Sequence, residues 1–285
     1  MKYKVLYNPF AGRINDTSFF DELKTALAGD ELEYFDATKI NYAEFLADCK
    51  EGEAVIIAGG DGTLNRFIND TDGLEFNVPV YYYAAGNGND FWTDIGKKAG
   101  DKPVELAPYS KDLPTVEVNG KTYKFINGVG FGIDGYCCEV GDKLKAEDKK
   151  VNYTGIAIKG LLFHFKPANA KVTVDGETKT FKKVWIAPTM NGRMYGGGMI
   201  PTPAQDRLNA ERTVSICVFH GSGKLKTLMI FPKLFKGEHI KKVKHVTILS
   251  GKQITVEFDK PCALQIDGET VLNVSKYTVT TPVKD

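Results

Sequence analysis

The sequence has almost no charge imbalance: 37 Lys and Arg stand against 36 Asp and Glu in 285 residues, a formal net charge of +1. That leaves no global field for nucleic acid, so any anionic partner has to be met by a local patch. No stretch approaches the ~20 apolar residues that span a bilayer. The opening MKYKVLYNPF enters a strand directly, without the apolar core of a signal peptide. Cysteine is scarce and unpatterned. Positions 49, 137, 138, 217 and 262 are odd in number and lack metal-ligand spacing, which reads as reduced thiols in a cytoplasmic protein. What is present, 42% hydrophobic and 26% charged residues, is ordinary for a globular chain. The length suggests two domains, each able to bury its own interior.

The most informative stretch is AVIIAGGDGTLNRFIN, residues 54–69. Ala54 to Ala58 is a continuous apolar run, as in a parallel strand covered on both faces. Gly59-Gly60-Asp61-Gly62-Thr63 follows as a loop with no side-chain bulk at three of five positions, open to close backbone approach by a ligand. Leu64, Phe67 and Ile68 then fall at helical spacing, so the positive end of a helix faces that loop. A phosphate seat and a plain strand-to-helix turn both explain this. Asp61 favours the first reading: a carboxylate within a phosphate cradle is repulsive unless a cation or proton lies between, which suggests Mg-nucleotide chemistry and a kinase.

The same alternation of strand and helix runs through the first ~110 residues. Tyr3–Tyr7 is a strand, Asn8-Pro9-Phe10-Ala11-Gly12-Arg13 a loop, and Asp16 or Thr17 caps a helix with Phe20, Leu23 and Leu27 on one face before Gly29. Residues 32–37 form a strand, and Asn41 caps a helix carrying Tyr42, Phe45, Leu46 and Cys49, the last read as core. Residues 78–85 form a further strand, ending in Gly86-Asn87-Gly88-Asn89-Asp90-Phe91. Loops 8–13, 59–63 and 86–91 all leave carboxyl ends of parallel strands, where ligands collect in such sheets.

From Leu113 the texture changes. Asn119-Gly120 between two short alternating runs signals a hairpin. Short strands then predominate, at 171–174, 181–187, 213–219, 243–249, 253–258, 262–266 and 276–280, as in an antiparallel sandwich or barrel. Between them, 156–165 reads as a helix on the sheet in preference to a lipid-facing wall. Asn191–Met199 reads as a loop facing the cleft between domains, or a surface turn. Residues 223–245 hold Lys224, Lys226, Lys233, Lys236, Lys241, Lys242 and Lys244 against one acid, Glu238, a balance of +6 interleaved with Leu228, Met229, Ile230, Phe231, Leu234 and Phe235. An anionic bilayer attracts such a surface; a solvated helix over the sheet is the alternative. Asp-Gly-Glu-Thr occurs twice, at Asp175 and at Asp267, and Asp-Gly is a preferred turn pair, so the spelling alone carries no catalytic meaning.

Taken in order, Asn8-Pro9 with Gly12, Gly59-Gly60-Asp61-Gly62-Thr63, Gly86 with Asn89-Asp90-Phe91, Phe125-Ile126-Asn127 with Gly132-Ile133-Asp134, Gly196-Gly197-Gly198-Met199 and Asp267-Gly268-Glu269 resemble the diacylglycerol kinase catalytic-domain family, which includes sphingosine kinases and soluble bacterial lipid kinases. The likeness spans nearly the whole length. It implies an amino-terminal α/β nucleotide-binding domain with a parallel sheet (residues 1–113) and a carboxyl-terminal antiparallel β-sandwich (114–285), the last strand free to return towards the first domain, with ATP between them. It implies that Asn8, Gly12, Arg13, Gly59, Gly60, Gly62, Thr63, Gly86, Asn87, Asn89, Asp90 and Glu269 line the nucleotide site. Asp267 takes the base role, and Asp61 holds Mg²⁺ or orients the acceptor hydroxyl. The implied substrate is a lipid alcohol, diacylglycerol first; the basic segment adds an anionic inner membrane face, met by a cytoplasmic, peripheral protein for which a homodimer is left open. Two positions depart from the pattern: Arg66 stands where the family has glutamate, and Asn87 replaces a common threonine. The Asp-Asp-Gly turn that helps hold a structural cation is absent from residues 203–212, which argues against that cation. The rivals are a NAD kinase, which shares Gly-Gly-Asp-Gly-Thr, and a nucleotide- or lipid-binding sensor without catalysis.

Overall fold

The computed structural model describes residues 1–12, 14 and 18–283, and the chain divides into two compact units, Met1–Lys111 and Asp112–Asp285. Arg13 and the helix-capping pair Asp16 and Thr17 lie outside the described residues.

In the first unit the order is β1 (Lys2–Tyr7), α1 (Ser18–Ala26), β2 (Glu31–Asp36), α2 (Tyr42–Ala47), β3 (Glu53–Gly59), α3 (Asp61–Asp70), β4 (Val80–Ala84), α4 (Asp90–Asp94), β5 (Val104–Glu105) and α5 (Ala107–Ser110). The sheet order is β2-β1-β3-β4-β5, parallel through β4 and closed by an antiparallel edge, β5. Ala54 to Ala58 are fully buried, as a central strand between two helical layers requires. Asn41 caps α2 as its sequence position predicts, its Oδ1 accepting from the N–H groups of Ala43 and Glu44. The buried residues of α1 are Phe19 and Leu23, whereas Phe20 is half-buried. Cys49 lies beyond α2 and is half-buried; its thiol donates to the Phe45 carbonyl and burial pushes its pKa up.

The second unit comprises β6 (Thr115–Val118), β7 (Lys121–Lys124), β8 (Gly128–Gly132), α6 (Ile133–Ala146), α7 (Tyr153–Lys159), a π turn (Gly160–His164), β9 (Ala168–Val174), β10 (Glu177–Val184), β11 (Ile186–Met190), β12 (Val214–Phe219), α8 (Lys224–Ile230), β13 (Val246–Gly251), β14 (Gln253–Ile266) and β15 (Glu269–Thr280). Every pairing is antiparallel. The last strand, β15, pairs with β14 and β6 inside this unit. Residues 253–258 and 262–266, which read as two strands, belong to one, β14. Its first half pairs with β9 and its last residues with β8, and the register shifts between Glu257 and Cys262 let it bend from one partner to the other.

Alternation along β12 shows how the layers are filled. Val214, Ile216 and Val218 face the sandwich interior with Phe131, Phe258 and Tyr277, while Cys217 and Phe219 face a second cluster with Ile133, Leu161, Trp185 and Leu234. Helical segments thus cover the outer face of β11–β12, and residues 156–165 contribute Ala157 and Leu161 to that cover while Ile158 and Phe163 stay exposed. Burial pushes the Cys137, Cys138, Cys217 and Cys262 thiols up to about 12, so they are protonated packing groups.

Candidate active site

Gly59 ends β3, and helix α3 begins at Asp61, earlier than the apolar spacing predicts. Asp61, Gly62 and Thr63 are therefore the first turn of a ten-residue helix and not a loop, and their N–H groups precede the first intrahelical bond, donated by Leu64 to Gly60. An N-terminus of this kind is a seat for phosphate oxygens.

The other two loops meet it. The Asn8 side-chain amide donates to Thr63 Oγ1 at 2.8 Å, and the Asn8 N–H donates to the Ala58 carbonyl. Gly60 and Gly86 pass so closely that a Cβ on Gly86 would lie 2.5 Å from Gly60 Cα, and a Cβ on Gly12 would run into the Asn87 side chain. Asn89, in the left-handed region at φ 51°, closes its loop by accepting from Gly86 N–H and donating back to Gly86 carbonyl oxygen at 2.9 and 2.7 Å. Asn tolerates that conformation better than most residues.

Asp61 links two helix ends. Its carboxylate accepts from the N–H groups of Asp90 and Phe91, both at 2.9 Å, at the start of α4. The carboxylate that would repel a phosphate thus has a backbone partner of its own, and its presence does not by itself require a cation. Below this, the buried Tyr82 hydroxyl donates to the Gly59 carbonyl, and burial raises its pKa well above the ordinary phenol value. Arg66 lies on the exposed side of α3, one turn from the seat, and pairs with Asp70 at 3.2 Å. Such a pair contributes ~0.3–0.5 kcal/mol and places no new charge on the first turn.

Asp267 and Glu269 belong to the second unit. The Asp267 carboxylate is buried and accepts three backbone N–H groups, from Ile126 at 2.6 Å, Asn127 at 2.9 Å and Gly128 at 2.8 Å. Its own N–H donates to the Gly128 carbonyl. The β14–β15 turn is thereby fixed to the start of β8. Asp175, spelled alike, is exposed and accepts from Lys252 and Gln253 N–H, an ordinary turn clamp. Glu269 is exposed beside Asp267, at the first position of β15.

Around Asp267 the chain builds a polar knot that local sequence signals do not reveal. Asn191 Nδ2 and Arg207 Nη1 both donate to the Ile126 carbonyl, Arg207 Nη2 donates to Asn127 Oδ1, and Gln205 Nε2 donates to the Asn191 carbonyl. The stretch that lacks Asp-Asp-Gly therefore supplies a guanidinium to this backbone. Among the described residues no group of three or more His, Cys, Asp or Glu is placed to hold a metal.

A further acid, Asp134, stands in the first turn of α6. It is buried, accepts from the Tyr195 hydroxyl at 3.2 Å through Oδ2, and has no partner at Oδ1. Desolvation pushes its pKa from 3.8 up to about 6, opposed by the first N–H groups of α6 and by Tyr195. Gly130 makes room for it, since a Cβ there would collide with Oδ2. Gly132-Ile133-Asp134 stands among the strings that carry the resemblance, without a role for the acid; the Gly-x-Gly-x-Asp spacing is the signal of its burial.

A helix start at the carboxyl edge of a parallel sheet, followed by an antiparallel sandwich carrying a clamped acid, is the two-unit organisation that the resemblance in sequence implies. Residues 2–112 match the family described as diacylglycerol kinase catalytic domain, and residues 127–283 match the YegS C-terminal NAD kinase beta sandwich-like domain. Over 218 residues the chain is 25% identical to a diacylglycerol kinase of Mycobacterium tuberculosis (strain ATCC 25618 / H37Rv), covering 74% of this chain and 69% of that one. It is 26% identical over 290 residues to YtlR of Bacillus subtilis (strain 168), named as a candidate lipid kinase, covering 93% and 92%. A solved diacylglycerol kinase structure from Bacillus anthracis str. Sterne has a TM-score of 0.60 at 19% identity, covering 98% of this chain and 93% of that one, a likeness of fold. The chain belongs to the diacylglycerol kinase catalytic-domain family, and its class of activity is that of a lipid kinase, a transferase.

Proposed function

We propose that the protein transfers the γ-phosphoryl group of ATP to the hydroxyl of a lipid alcohol, diacylglycerol first, at an anionic membrane surface. The observation that carries this reading is the first turn of α3 opening between the Asn8 and Gly86 loops. A new bond forms between the lipid hydroxyl oxygen and the γ-phosphorus, the bond from that phosphorus to the β,γ-bridging oxygen breaks, and ADP leaves with the electron pair. Asp267 is the acceptor for the hydroxyl proton, its carboxylate held in one orientation by three N–H donors. Asp61 would be the protein carboxylate that holds a nucleotide-borne Mg²⁺, which needs only one or two such ligands from a kinase. That ion would neutralise phosphate charge as the bond breaks. Among the described residues no helix is long and apolar enough to cross a membrane, in keeping with a lipid met from the surface.

The test offers radiolabelled ATP with separate samples of diacylglycerol, sphingosine, phosphatidylglycerol, polyprenol and NAD. Label in phosphatidic acid is expected. Label in NAD alone, or in none of the five, would overturn the proposal.

A further inference from the structure

The segment from Gly223 to His245 carries more apolar surface than its packing needs. Thr227, Ile230 and Leu234 are buried and fasten α8 and the following 3-10 turn to the outer cluster of the sandwich. His239 is buried, with Nε2 2.8 Å from the Pro201 carbonyl oxygen. The inward face is therefore packed against the sandwich. Yet Leu225, Met229 and Val243 are 77%, 74% and 78% exposed. A helix that merely covers a sheet keeps its large apolar residues on one side, and this one bears them on both.

Beside Met229 and Val243 lies a hollow of about 330 Å³. Lys226, Lys233, Lys241, Lys242 and Lys244 line it together with the buried Ile230 and the exposed Met229 and Val243. None of the five lysines makes an ion pair among the described residues, and Glu238, the single acid of the segment, is not in the lining. Five lysines without an ion pair around one concave, largely apolar space suit an anion with an apolar body behind it.

Resting on the membrane reading above, we propose that this hollow is a headgroup site: it takes the phosphate of one anionic phospholipid of the bilayer while Leu225, Met229 and Val243 enter the acyl boundary. Charge complementarity selects the phosphate, and the exposed apolar rim selects a lipid over a soluble anion. The site differs from a diffuse basic face because five of the seven lysines of the segment border one hollow. Lysines of the same segment that stay outside the lining, Lys224 and Lys236, contribute only to the general field; Lys224 already donates to the Leu162 carbonyl.

The test compares two double variants with equal loss of charge, Lys226→Gln/Lys233→Gln and Lys224→Gln/Lys236→Gln, in vesicle co-sedimentation with phosphatidylglycerol–phosphatidylcholine mixtures and with phosphatidylcholine alone. The lining pair is expected to weaken partitioning onto the mixed vesicles about tenfold or more, and the outer pair by about threefold at most. A Met229→Trp variant is expected to show a blue-shifted emission on the mixed vesicles. Equal losses for the two pairs, unchanged Trp emission, or binding to a single-stranded oligonucleotide in place of vesicles would each overturn the site. Wild-type protein that labels soluble short-chain diacylglycerol but ignores vesicles would remove the headgroup site and leave the kinase reading standing. Pocket-dependent vesicle binding with no lipid labelled would do the reverse.

Discussion

Replacing Asp134 by Asn tests the energetic role assigned to a buried acid. Burial shifts the folded-state pKa from 3.8 to about 6, so the folded protein holds a proton that the unfolded chain releases. Between those values the folded state binds more protons than the unfolded one, and stability falls as pH rises. The interval corresponds to about 3 kcal/mol, of which about 2 kcal/mol falls between roughly pH 4.5 and pH 8. Asparagine has the same shape, can accept from Tyr195, and does not titrate. Relative to wild type, the Asp134→Asn variant is therefore expected to gain about 2 kcal/mol of stability on going from the acid to the alkaline end, or about 4–8 °C in Tm for a unit of this size. Urea unfolding followed by Trp185 fluorescence in a Trp92→Phe background reports the second unit, because Trp185 is buried there. A difference between variant and wild type that stays flat with pH would refute the reasoning, whatever its absolute size.

Two other substitutions probe the remaining anchors. Gly86→Ala puts a methyl group 2.5 Å from the Gly60 backbone, so the loops must part; ATP affinity, read by equilibrium dialysis, is expected to fall at least about tenfold while α/β circular dichroism persists, corresponding to a loss of ~1.4 kcal/mol. Unchanged affinity would separate the glycine contact from the phosphate seat. Asp267→Asn turns an acceptor-only carboxylate into an amide that presents N–H groups to at least one of the Ile126, Asn127 and Gly128 donors. A stability loss of about 2–3 kcal/mol in urea unfolding, together with loss of phosphoryl transfer at a temperature where the variant is folded, is the expected pair of results. Retained turnover would remove Asp267 as the proton acceptor.

Much of the first unit could be read directly, because its signals are local. An apolar run before two glycines gives β3, and Asn41 ahead of Tyr42, Phe45 and Leu46 gives a capped helix. The start of α3 escaped because Gly62 has poor helix propensity, and only the surrounding contacts of Thr63 with Asn8 and of Asp61 with α4 hold that turn. Helix α6 went unread for a related reason. Gly135 and Gly141 weaken the helical pattern, yet they let the helix lie against the Ala263 carbonyl and the Tyr153 ring, where a Cβ would meet atoms at 2.1 and 2.8 Å. Asp259, Lys260 and Pro261 interrupt the strand pattern within β14, although the backbone passes through as a bend. Of the candidate site, the meeting of Asn8, the turn after Gly59 and the segment at Gly86 was legible from their places after parallel strands, although Asp61–Thr63 is helix and not loop. The Arg207 bonds and the contrast between Asp175 and Asp267 were not, since partners some 80 to 140 residues away decide them.

The bend in β14 has a mechanical consequence. One strand lends its first half to β9 and its end to β8, with β15 alongside for most of its length. Neither half of the sandwich can fray without disturbing the hydrogen bonds of the other. Amide protons at Val256 and Leu264 are therefore expected to exchange through a shared opening event, with similar protection factors and a common response to denaturant.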